Sequence, residues 1–119
     1  MKSAATRIAH YQNRMTSSQI DPVLSAVNAT AVANYAAYAT DWVAKQQAVH
    51  DYLDVHGVLP YEYFQYNAAA GEFYHIEQHF SGPMAVAAAT EICTKWAAMG
   101  CVLADLKAIA GTVFNIVVP

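Results

Sequence analysis

Charge is what this sequence has least of. Only 13% of its 119 residues are charged, while 56% are hydrophobic; an average domain is about 25% charged. The six lysines and arginines are scattered and the net charge is −3. No basic cluster is therefore available to neutralise a phosphate backbone or an anionic lipid surface. Neither nucleic acid nor a membrane is the expected partner. The same scarcity leaves alanine, tyrosine, asparagine and glutamine to cover the surface. A surface of that kind packs readily against a copy of itself, so a homo-oligomer, a dimer or higher, is expected.

Cysteine is sparse too. Cys93 and Cys101 lie eight positions apart; on one helix that is about 12 Å along the axis, too far for an internal disulfide. Two free thiols suit a reducing compartment. The opening residues, MKSAATRIAHYQNR, carry no apolar signal core, and a cytoplasmic location is the expectation. The uncharged run from Pro22 to Thr40 is long enough to cross a bilayer. Ser25, Asn28, Thr30, Asn34 and Thr40 interrupt it, so it is read as a soluble helix. A glycine-rich phosphate loop, a nucleophile elbow and a Cys-x-x-Cys pair are all missing. No catalytic residue stands out, and a non-enzymatic role is favoured.

What remains describes a single domain over residues 1–119, mainly α-helical. Residues 3–15 place Ala4, Ile8 and Tyr11 on one helical face, with Ser3 as cap. Asp21-Pro22 is an N-cap acceptor followed by proline at the first helical position. Neither glycine nor proline recurs until Gly57. The apolar residues between step at threes and fours, which predicts one helix from Pro22 to about His56, closed by Gly57. Its length would be about 50 Å. Ser81-Gly82-Pro83 restarts the chain, and a second long helix is expected to run to about Ala110 and stop at Gly111, with Glu91 and Lys95 as an i,i+4 pair.

Laid antiparallel, the two rods set Tyr35 near Ala104, Tyr38 near Gly100 and Cys101, and Trp42 near Ala97 and Trp96. Rings then meet small side chains, as a packed seam requires. Gly100 would make room for a tyrosine ring. At the connection, LPYEYFQYNAAAGEFYHIEQHF is rich in aromatics, which favour strands. Asn67 to Gly71 suits a five-residue turn. A small β-hairpin is expected, residues 61–66 pairing with 72–79. The alternative is all-α: two short helices, Pro60 starting the first and Gly71 stopping it. The apolar tail TVFNIVVP is read as a further strand.

One stretch raises a chemical question. On a strand, His75, Glu77 and His79 share a face. Two imidazoles and a carboxylate suit zinc, iron or nickel, so a divalent metal is a candidate there, but ordinary solvent-facing polarity is the favoured reading of the pattern. On a helix, Glu72, His75 and His79 would share a face instead. Glu-x-x-His is the ligand spacing of di-iron bundles, but only Glu72 has it, so a di-iron centre fails on ligand count. A second polar cluster, His50, Asp51, Asp54 and His56, suits a solvated helix end, with His50 or Asp54 able to join the histidines. Otherwise no cofactor is expected. The tyrosines at 61, 63, 66 and 74 suit a protein interface. The leading expectation is a non-enzymatic assembly or interaction protein acting as a homo-oligomer. The alternative is a small metal-binding protein or metal-dependent enzyme built on His75, Glu77 and His79.

Overall fold

A chain with no glycine or proline between Pro22 and Gly57 has nothing to break a helix. In the computed structural model, which describes residues 22–119 and their side chains from Ala29 onward, α1 runs unbroken over Pro22–Val55. It stops where expected. Gly57 takes φ +72°, its N–H returns to the Asp54 carbonyl at 3.2 Å, and the Val58 N–H reaches Leu53 at 3.0 Å. Those paired returns form a Schellman cap, which favours glycine at the left-handed position. The expected helix over residues 3–15 and the Asp21 cap lie outside the described residues.

Contacts divide the chain into two compact units, Met1–Val43 and Ala44–Pro119, with the boundary inside α1. In the first, the Tyr35 and Tyr38 rings sit 6.5 Å apart, Ala39 is buried, and the Thr40 hydroxyl donates back to the Ala36 carbonyl at 2.9 Å. All that follows concerns the second unit.

The expected β-hairpin does not form. A 3-10 turn over Pro60–Glu62 leads into a single helix, α2, over Tyr63–His79, and no strand occurs among the described residues. The all-α alternative is the fold, though not as two pieces: Pro60 does start the segment, but Gly71 lies inside α2 and does not stop it. The buried residues explain why helix wins. Tyr66, Ala69, Ala70, Phe73 and Ile76 face inward at spacings of three and four, so one helix seats them together on the core. A strand would divide them between two faces.

The second long rod is also corrected. It is two helices, α3 over Gly82–Ala98 and α4 over Leu103–Thr112. Gly100, at φ +112°, ends α3 rather than admitting a ring. Its N–H returns to Ala97 at 3.2 Å and that of Cys101 to Trp96 at 3.0 Å, the same cap that Gly57 makes. The seam expected from two unbroken rods therefore has no second rod to run along, and α2 packs on both α3 and α4. The tail is not a strand either. Asn115 turns the chain at φ 58°, Phe114 and Ile116 are buried, and the Ile116 N–H returns to the Ala110 carbonyl at 2.9 Å.

All four helices and the tail contribute to one core. Val49 and Leu53 come from α1, Tyr66 and Phe73 from α2, Cys93 from α3, Leu106 and Ile109 from α4, and Phe114 from the tail; all are under 2% exposed. Phe114 lies 6.1 Å from the Phe73 ring and 6.2 Å from that of Tyr74. Among the described residues no helix is long and apolar enough to cross a membrane.

Candidate functional site

Helix α2 carries the residues singled out for metal chemistry, and its geometry sorts them. His75 and His79 are one turn apart, with ring centroids 4.5 Å apart. Both are exposed. Glu77 points elsewhere. It pairs with Lys45 of α1, whose ammonium also lies 5.1 Å from the Tyr74 ring centroid. The second Glu77 oxygen, Oε2, is buried without a hydrogen-bond partner. Glu72 is bound at both oxygens: Oε1 takes the Lys95 ammonium and Oε2 accepts from the Trp96 indole N–H at 3.1 Å. Lys95 thus reaches across from α3 to α2. The structure brings the two histidines together and gives the two flanking carboxylates to lysines. No group of three or more histidine, cysteine or acidic residues is arranged to hold a metal among the described residues.

His75 also lines an open groove of about 400 Å³ between α2 and α3, together with Gly71, Ala88 and Glu91. A second hollow, about 450 Å³, lies between the start of α3 and the tail, against Phe80, Ala85 and Ile116.

The other polar cluster is dispersed. His50 Nε2 lies 3.0 Å from Asn67 Oδ1, and its ring meets Tyr63 edge-on at 5.3 Å. Asn67 sits eight residues before His75, about 12 Å along α2, so His50 does not join the histidine pair. Asp51 accepts from Gln47 at 2.9 Å, Asp54 accepts from the Tyr63 hydroxyl, and His56 stacks on Tyr52 with centroids 3.9 Å apart. Both thiols are buried. Burial raises the pKa of Cys93 and of Cys101, which keeps them protonated and poor nucleophiles.

Tyr52 ties α1 to α4. Its hydroxyl donates to Asp105 Oδ1 at 2.9 Å. Burial first, then the hydrogen bond and charge of Asp105, push the phenol from its usual 10.0 up to about 12. The folded chain therefore holds this proton more tightly than the unfolded chain does. The resulting stability is complete below the ordinary phenol pKa and is lost as pH rises through 10 toward about 12. Urea midpoints at about pH 9 and about pH 11 should fall further in the unmodified protein than in Tyr52→Phe.

Several exposed apolar side chains lie at the end of this unit where α1 stops, α2 begins and α3 turns into α4. The Val102 N–H donates to the Tyr66 hydroxyl at 2.9 Å and Gln65 donates to the Met99 carbonyl at 3.1 Å, which fixes these segments side by side. Around them Val55, Tyr61 and Phe64 are 81%, 79% and 81% exposed, and Leu59, Met99 and Val102 are exposed as well. Of the four tyrosines expected at an interface, Tyr61 lies on this surface, whereas Tyr66 and Tyr74 are buried in the core; the half contributed by Met99 and Val102 depends on the turn at Gly100. The chain matches no protein-family model, no curated protein and no solved structure.

Proposed function

We propose that this chain is a non-enzymatic assembly protein that works as a homo-oligomer, joined through the apolar end of its second unit. The observation that carries the reading is the exposure of Val55, Tyr61 and Phe64 beside Met99 and Val102, side chains that gain by leaving water. A second copy is the favoured occupant because the chain is so poor in charge. Aromatic and methionine side chains with few charges make up interface centres, and a two-fold contact would set the same patch against itself. The nearby carboxylate of Asp54 accepts a hydrogen bond from the Tyr63 hydroxyl and keeps its charge, which places it at the wet rim of such a contact.

Light scattering coupled to size exclusion should give a mass of two or more chains at micromolar concentration. Phe64→Asp should shift it to that of one chain while the circular dichroism stays helical, since Phe64 is 81% exposed. A wild-type protein that elutes as a monomer would overturn the proposal. So would a Phe64→Asp variant that keeps the full oligomer mass.

A further inference from the structure

We propose that His75 and His79 form a two-imidazole clamp for a divalent transition-metal ion, copper(II) above zinc or nickel. The clamp does not include Glu77. Helical residues at i and i+4 lie one above the other, and here the ring centroids are 4.5 Å apart. The backbone between them is fixed by α2, so closing the chelate orders little beyond the two side chains. Two histidines at this spacing on one helix are the metal-holding pair of the His-Glu-x-x-His zinc helix. Imidazole suits copper, nickel and zinc, and copper leads that series in affinity.

The surroundings favour the site. Both rings are exposed, so an ion enters without opening the fold. The two cations that flank this part of α2, Lys45 and Lys95, are each held by a carboxylate, Glu77 and Glu72. That pairing neutralises both charges and leaves little to repel an incoming dication. It also removes Glu72 and Glu77 as ligands. Glu91, which lines the same groove as His75, adds a negative field from α3. The remaining coordination positions belong to water, so the ion exchanges freely. His79 closes α2 about 24 Å along the axis from its first residue, and the site is independent of the apolar end.

The test is calorimetric titration of the full chain, without an affinity tag, with copper(II), zinc(II) and nickel(II) chlorides in a non-coordinating buffer near neutral pH. One ion per chain is expected, tightest for copper. Binding should disappear in H75A/H79A and persist in E77Q and in H50A/H56A. It should also weaken on acidification, because metal and proton compete for the same nitrogens. Paramagnetic resonance of the wild-type copper complex should show two equatorial nitrogens; this readout stands even if a variant fails to fold. Unchanged binding in H75A/H79A, loss in E77Q, or a copper spectrum without two nitrogens would overturn the proposal.

Discussion

Replacing Phe114 with alanine is expected to destabilise the fold by about 3–5 kcal/mol. The ring is fully buried and packs between Phe73 and Tyr74. It comes from a tail with no regular structure, so no helix remains to hold the segment once the ring is gone. A domain of this size has roughly 5–15 kcal/mol in all, and a loss on that scale removes a large share of it. Urea unfolding followed by circular dichroism should show the midpoint falling sharply at an unchanged slope. Phe114→Leu conserves most of the volume and should lose less than about 1.5 kcal/mol. An alanine variant within 1 kcal/mol of wild type, on the order of a surface change, would mean that the tail does not close the core.

Gly100→Ala is expected to cost about 1–3 kcal/mol, whereas Gly71→Ala is expected to stabilise the fold by about 0.5–1 kcal/mol. The two substitutions are chemically identical and differ in sign because the backbones differ. Gly100 ends α3 at φ +112°, a conformation that an L side chain adopts only with strain. A Cβ there meets nothing closer than Gln65 Oε1 at 3.9 Å, so the penalty is conformational rather than steric crowding. Gly71 lies inside α2 with ordinary helical geometry and open space within 4 Å of an added Cβ. Alanine there removes freedom from the unfolded chain and adds nothing unfavourable to the folded one. Thermal midpoints of both variants, measured side by side, should move in opposite directions.

These two glycines also mark what the residues alone reveal. The C-terminus of α1 was legible because its stop is local: Gly57 follows the last periodic residue and needs only its own turn to form the cap. The restart at Ser81-Gly82-Pro83 was legible for the same reason. Gly100 was not. A glycine in an apolar, alanine-rich run fits a helix interior and a helix end equally well, and the choice depends on whether Cys93, Trp96 and Leu106 can all reach one core. The aromatic content of residues 61–80 favours a hairpin, but the three-and-four spacing of Tyr66, Ala69, Phe73 and Ile76 outweighs it, and Gly71 makes no turn. At the candidate site, the closeness of His75 and His79 follows once the segment is helical. The pairing of Glu77 with Lys45, 32 positions away, and of Glu72 with Lys95, 23 positions away, has no local signature. Those partners exist only because the helices are folded together.

The matched reversals at Gly57 and Gly100 have a consequence for recognition. Each is locked by two backbone hydrogen bonds, and the Tyr66 hydroxyl adds a further strut beside the second. The backbone at the apolar end of this unit is thus set by its own hydrogen bonds. If a second copy docks there as proposed, the backbone of these turns gives up little freedom, and what is ordered is the exposed side chains they carry.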